Sequence, residues 1–196
     1  MPEWGWLEPR MIGGLLLVAA AINCILALRH FVFREPTLSA HFSPKGGCQT
    51  AIVAELDRAR SEILMQAYSF TCPDIARSLI AAVARRVRVV VLLDRSNEAE
   101  SYSELGELEK HGLEVWIDGQ HAIAHNKVIV IDGRTVVTGS FNFTRQAENE
   151  NAENLLILKD HRELAARYRE NFNAHRGHCH APGAGKPVHV HARGAA

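Results

Sequence analysis

The chain opens on a block of apolar residues. Residues 11–28 read MIGGLLLVAAAINCILAL, and Asn23 is their only strongly polar side chain. At 1.5 Å per residue the run spans about 27 Å, close to the roughly 30 Å hydrocarbon core of a bilayer. Trp4 and Trp6 precede it and Arg29, His30 and Arg34 follow, an arrangement that suits an interfacial belt and a charged stop. A cleaved signal peptide is the competing reading. Against it stand Glu3 and Glu8 in the leading segment, the length of the run and the lack of a clean A-x-A site. Residues 1–28 are therefore predicted to be a membrane anchor or signal sequence, and residues 29–40 (RHFVFREPTLSA) a linker.

Beyond the linker the pattern alternates between two periods. Thr50 to Arg60 places Ile52, Leu56 and Ala59 at helical spacing, and Glu62 to Phe70 reads as a strand. Asp74 to Arg86 predicts a helix with Ile75, Leu79 and Ala82 on one face and Pro73 near its start. Val87 to Leu93 is β-branched and nearly continuous, as a buried strand is. A helix over Ser103 to His111 and a strand over Leu113 to Ile117 follow. HNKVIVI and RTVVTGS then flank Asp132-Gly133, a dipeptide that favours a two-residue type I′ turn and so an antiparallel hairpin. A strand over Asn154 to Leu158 and a helix near Asp160 to Ala174, with Leu164, Tyr168 and Phe172 four apart, complete the series. Strands alternating with helices early and a hairpin late predict an α/β domain over residues 41–174, a mixed sheet flanked by helices.

After Phe172 the sequence turns His-, Gly- and Pro-rich, and residues 175–196 are predicted to be a disordered tail. His175, His178, Cys179, His180, His189 and His191 are metal-ligand types, but within the tail no acidic ligand or second cysteine closes a set. Composition adds limits. With 22 basic and 22 acidic side chains the formal net charge is zero, so any anion site must be local. Cys24, Cys48, Cys72 and Cys179 form no C-x-x-C pair, which argues against a disulfide framework or zinc finger.

The chemistry is concentrated in one stretch. From His125 the chain reads HNKVIVIDGRTVVTGSFNF, which fits H-x-K-x4-D-x6-G-S-x-N with His125, Lys127, Asp132, Gly139, Ser140 and Asn142 at the fixed positions. Six such matches arise by chance about once in 10^8 starts at ordinary residue usage. The motif resembles the HKD signature of the phospholipase D superfamily. On a strand, residues two apart share a face, so an imidazole and an ammonium are set side by side. Across the hairpin, Ser140 and Asn142 leave the partner strand at the same end. A nucleophile, a cation and two neutral hydrogen-bonding groups then converge, as phosphodiester chemistry requires. Asp132 is accounted for as the first turn residue and reads as structural. Gly139 is expected to allow close backbone approach where a phosphate sits.

An attacking imidazole needs an acceptor to fix its tautomer. Glu153 begins the following strand and is the expected orienting carboxylate, and the resemblance picks the same residue through AEN. Glu148 and Glu150 read as solvated loop residues. The resemblance runs from about His41 to Phe172 and is greatest to the small, single-motif bacterial nuclease branch, through HFSP, AYSFTCPDIA, HNKVIVIDG and TGSFNFTRQAE. Membrane-anchored mitochondrial relatives are more distantly similar. Two departures stand out: ARRVRVV lacks the branch's helix-ending glycine, and DRSNEAES replaces its Gly-containing loop.

The resemblance implies hydrolysis of phosphodiesters through a phosphohistidine, with no cofactor and no metal. Only one motif copy is present, so the second acid is expected from a homodimer sharing one active site. Nucleic acid, DNA or RNA, is the expected substrate, with Arg95, Arg134 and Arg145 as candidate backbone contacts and Phe141 and Phe143 as candidate stacking or core residues. Phosphatidylcholine or cardiolipin is the alternative substrate, made plausible by the anchor at residues 11–28. The expected location is the bacterial inner membrane, single-pass. Resemblance favours a periplasmic domain, and Arg29 and Arg34 against Arg10 favour a cytoplasmic one.

Overall fold

A computed structural model describes residues 9–32 and 35–184, with side chains of the first helix described over residues 13–27. The chain forms two compact units, residues 1–35 and 36–196. In the first, helix α1 (Pro9–Val32) has 24 residues, about 36 Å at 1.5 Å each. Its described side chains are exposed, and Asn23 Nδ2 donates to the Ala19 carbonyl at 3.0 Å, so the one strongly polar group is paired within the helix. Among the described residues no helix is long and apolar enough to cross a membrane. The predicted anchor lies partly outside the described residues: residues 1–8 are not described, nor are the side chains of Met11, Ile12 and Leu28.

The second unit is a seven-stranded mixed sheet with helices on both faces. Its elements are β1 (Thr37–Ser43), α2 (Cys48–Arg58), β2 (Glu62–Ala67), α3 (Pro73–Ala84), β3 (Arg88–Asp94), a 3₁₀ turn (Arg95–Glu98), α4 (Leu105–Lys110) and β4 (Glu114–Asp118). They continue with β5 (Lys127–Ile131), β6 (Thr135–Gly139), α5 (Arg145–Asn149), β7 (Glu153–Lys159) and α6 (Arg162–Arg176). The strand order is β1-β7-β6-β5-β2-β3-β4. Among the described strands β2–β3 and β3–β4 pair in parallel and the others antiparallel. The crossovers through α3 and α4 place those parallel strands, while the antiparallel half is built around the β5–β6 hairpin.

The larger core lies under α2, α3, α4 and α5 and holds Ile52, Leu56, Met65, Ile75, Leu79, Leu93, Phe141 and Phe143. The smaller lies under α6, where Leu64, Val90, Leu92, Val130 and Val136 meet Ala165 and Phe172. Strands β2 and β3 are buried on both faces, which is why their sequences run apolar without alternation. Phe141 and Phe143 are fully buried, so both belong to the core and neither is a stacking platform.

Three boundaries differ from the sequence reading. Residues 37–40, predicted as linker, form most of β1, which pairs along β7 from Thr37↔Lys159 to Ser43↔Glu153. Short polar–apolar alternation in TLSAHFS is too weak a signal by itself, and β7 supplies the partner. At the other end, α6 runs to Arg176, and residues 177–184 remain ordered. His180 exchanges backbone hydrogen bonds with Ile117 at 2.8 and 3.0 Å, on the free edge of β4. The predicted disorder therefore fails for residues 175–184, and residues 185–196 lie outside the described residues.

The missing glycine after α3 changes less than its absence suggests. Arg86 itself takes the left-handed conformation, at φ 67°. Val87 N donates to Ala82 O at 3.0 Å and Arg86 N to Val83 O at 2.8 Å, a complete Schellman closure. Helix α4 ends in the same motif with Gly112 at φ 70°.

Candidate active site

The β5–β6 hairpin has a closed end and an open end. At the closed end Asp132 and Gly133 have φ of 52° and 60°, the type I′ turn the dipeptide predicts. The Asp132 carboxylate accepts from the backbone N–H groups of Arg60 (3.0 Å), Ser61 (2.8 Å) and Glu62 (3.0 Å), and from Ser61 Oγ (2.8 Å). Burial acts to raise its carboxyl, but these hydrogen bonds hold it below the ordinary carboxylate value. Strand β5 separates it from Lys127 by about 17 Å at 3.4 Å per residue. Asp132 thus belongs to the motif without belonging to the site: it ties the hairpin turn to the α2–β2 connection. Arg134 lies at this closed end too, paired with Asp160, which removes it from the candidate substrate contacts.

The open end gathers His125, Lys127, Ser140 and Asn142. Strand β5 begins at Lys127, yet its pairing with β2 extends one step further, where Tyr68 N donates to Asn126 O at 3.0 Å. His125 therefore sits one residue beyond the paired ladder, exposed, while Lys127 is buried. Lys127 Nζ donates to the His125 carbonyl at 2.9 Å. Burial lowers the Lys127 pKa from its ordinary value, and the negative charge of Glu153 opposes that shift. Tyr68 packs against both: its ring lies 4.6 Å from the imidazole, centroid to centroid, and 5.1 Å from Nζ.

On the partner strand, Ser140 Oγ accepts from Asn154 N at 3.0 Å and Asn154 Nδ2 at 3.2 Å. Asn142 Oδ1 is buried with no hydrogen-bond partner among the described residues. Such an orphan is costly in an empty site and is satisfied by an incoming donor. Glu153 accepts from Asn151 Nδ2 at 3.2 Å, and among the described residues it makes no hydrogen bond to His125. Gly139 is required for a reason other than phosphate approach. A Cβ there would lie 2.2 Å from the Asn154 carbonyl oxygen, so it is β7 that needs the space.

The residues that set this end in place were not all visible in the sequence. Asp94 Oδ2 accepts from Ala124 N at 2.7 Å, one residue ahead of His125. Asn97 Nδ2 donates to the Tyr68 carbonyl at 2.7 Å. The DRSNEAES loop, which replaces the branch's Gly-containing loop, is thus the back wall that fixes His125 and Tyr68. Arg95 Nη2 donates to the Ala122 carbonyl at 3.1 Å and holds the same loop. Glu148, read as solvated, accepts from Gly47 N at 3.0 Å and Gln49 N at 2.8 Å. It caps α2, whose own N-cap residue, Gly47, has no side chain to do so. Asp94 before Ser96 was a legible capping signal, whereas nothing local marks Tyr68, Asn97 or Glu148.

An exposed imidazole beside a buried lysine, with a serine hydroxyl and an amide whose oxygen is unpaired at the same strand ends, suits phosphodiester chemistry: the class is phosphodiesterase. Comparison with known proteins agrees. Residues 52–176 match the family model of the cardiolipin synthase, PLD-like domain. A phospholipase D of Rickettsia felis is 47% identical over 148 residues, covering 74% of each chain. A mitochondrial cardiolipin hydrolase of Xenopus tropicalis is 37% identical over 115 residues, 59% of this chain and 54% of that one. Among solved structures, the phospholipase D family member Nuc from Salmonella typhimurium superposes with TM-score 0.72 and 34% identity, over 74% of this chain and 97% of that one. The chain belongs to the phospholipase D superfamily, and it is a phosphodiester hydrolase.

Proposed function

We propose that the chain is a membrane-anchored endonuclease that cleaves nucleic-acid phosphodiesters without a catalytic metal, through a phosphohistidine on His125. The imidazole attacks phosphorus and displaces one ester oxygen. The Lys127 ammonium offsets charge on the non-bridging oxygens, the Ser140 hydroxyl and Asn142 Nδ2 donate hydrogen bonds to them, and water then cleaves the phosphorus–nitrogen bond. Glu153 acts on this reaction through the charge it places near Lys127. The observation that carries the nucleic-acid reading is the set of exposed cations on loops at the open end. Lys45 follows β1 at the Ser43↔Glu153 pair, Arg95 follows β3, and Arg145 starts α5 just past Asn142.

The leaving oxygen needs a proton, and the sequence holds one motif. A two-fold dimer supplies the second His125. An uncovered apolar stripe supports it: Leu38 and Phe42 on β1 are 62% and 65% exposed, and Phe42 is the cross-strand partner of Asn154, which binds Ser140. The stripe therefore reaches the site. The anchor is assigned to residues 11–28 on the strength of their apolar sequence, and the domain to the periplasmic side of a bacterial inner membrane. A topology reporter fused after the last residue and reading cytoplasmic reverses that assignment.

Phospholipid hydrolysis is the second reading, favoured by Ile123, 56% exposed on the His125 loop, and by the names of the relatives. Single-stranded oligonucleotides and vesicles of phosphatidylcholine or cardiolipin, assayed side by side, separate the two. The expected result is oligonucleotide cleavage with affinity falling steeply with salt, at a slope of about −0.7 per phosphate contacted. Efficient vesicle hydrolysis with weak, salt-independent oligonucleotide binding makes the lipase reading the correct one.

A further inference from the structure

Four potential ligands meet at the end of β4. Asp118, on that strand, is 2% exposed, His121 stands three residues on, and His175 and His178 come from the end of α6 and the turn after it. One donor atom from each of the four lies within 4.8 Å of the others. His175 Nδ1 is 2.8 Å from Asp118 Oδ2, His121 Nδ1 3.1 Å and His178 Nε2 3.3 Å. The other carboxylate oxygen faces His121 Nδ1 at 3.1 Å and accepts from Gln120 N at 3.3 Å.

Oδ2 faces all three imidazole nitrogens and Oδ1 also takes His121 Nδ1 and Gln120 N, so the carboxylate satisfies the rings only if each carries its proton on the nitrogen turned inward. The rings also crowd one another, with centroids 4.8, 5.1 and 5.4 Å apart, a poor place for more than one imidazolium. A single cation among the four relieves that crowding, since each imidazole then stays neutral and presents a lone pair while the carboxylate supplies a charge. Tetrahedral zinc with bonds of about 2.0–2.1 Å sets its donors roughly 3.4 Å apart. The distances to Asp118 already approach that edge. The spacing has the form of a paired-ligand site, D-x-x-H joined to H-x-x-H.

We propose that Asp118, His121, His175 and His178 form a zinc site that locks the end of α6 and the β4–β5 loop together. Nitrogen-rich donors with one carboxylate suit zinc rather than magnesium or calcium, which take oxygen. Four protein donors leave no open position, so the metal is structural and takes no part in the reaction at His125. Its effect reaches the active site through position. His121 and His125 share one loop, which Arg95 and Asp94 already hold at Ala122 and Ala124. The histidines of residues 185–196 are not needed.

The test uses the full chain in detergent, without a polyhistidine tag, stripped by chelator, reloaded with zinc and freed of excess metal. Metal analysis should find about one zinc per chain. Cobalt loaded in its place should give the visible absorption of a tetrahedral ion. The double variant His189→Ala/His191→Ala should keep the zinc. His121→Ala, a half-exposed position that the fold tolerates, and His175→Ala should each lose most of it. Stripping should lower the thermal midpoint, with recovery on zinc and none on magnesium. Wild-type chain that holds almost no zinc, or zinc retained by His121→Ala and His175→Ala but lost with His189 and His191, overturns the proposal. Oligonucleotide and vesicle assays play no part in this readout, so it stands or falls apart from the substrate assignment.

Discussion

The two ends of the β5–β6 hairpin carry parts of one sequence motif and do opposite work. At the closed end every strong acceptor is used: Asp132 receives three backbone N–H groups and a hydroxyl. At the open end the groups are held yet underused. His125 is exposed, Lys127 donates only to a neighbouring carbonyl, and Asn142 Oδ1 has no partner among the described residues. Satisfied polar groups stabilise a fold, whereas unsatisfied ones are poised for a ligand. A short motif therefore encodes both a reaction and the turn that holds it in register. Motif membership alone does not tell which residue serves which purpose.

Breaking the open end should give the largest effect, and on activity alone. His125→Asn removes both nucleophile and acid–base group, so turnover should fall by more than the roughly 10²–10⁴-fold typical of losing an acid–base group. Its thermal midpoint should match wild type, because the side chain is exposed. Mixing wild-type chains with excess His125→Asn chains should depress activity below simple dilution. A strictly linear dependence on wild-type fraction refutes the shared site.

Breaking the closed end should do the reverse. Asp132→Ala leaves three backbone donors without an acceptor and should cost about 2–3 kcal/mol of stability, the scale of hydrogen bonds to a charged group. Turnover by the folded fraction should change little. Because the folded carboxyl is held below its ordinary value, its contribution is complete above the unfolded value of about 3.9 and is lost as pH falls through the folded one. Denaturation of both proteins from pH 7 downwards checks this: the gap should close in acid. A gap that stays constant to low pH, or a variant as inactive as His125→Asn, would erase the distinction between the two ends.

The smallest effect sharpens the comparison from outside the hairpin. Arg86 and Gly112 close two helices with the same motif, but only arginine is strained at positive φ. Arg86→Gly should stabilise the domain by about 1 kcal/mol and leave activity unchanged. An unchanged or lower midpoint means that the Arg86 side chain contributes more than its backbone strain costs.

What the sequence determined was local. Alternation and helical spacing placed the strands and longer helices from α2 to α6 to within a few residues, but not the short α5 or the 3₁₀ turn. Asp132-Gly133 fixed the turn, and H-x-K with G-S-x-N fixed which residues share an end. Each of these depends on neighbours within a few positions, where strand and helix geometry leave little choice. Tertiary structure decided the rest. It sent Glu148 to cap a helix 99 residues earlier, brought His175 to an aspartate 57 positions away, recruited linker residues as β1 and buried Phe141 and Phe143 in the core. Those partners are chosen by which faces pack to bury the most apolar surface, and a contact made that way leaves no periodic trace in the chain.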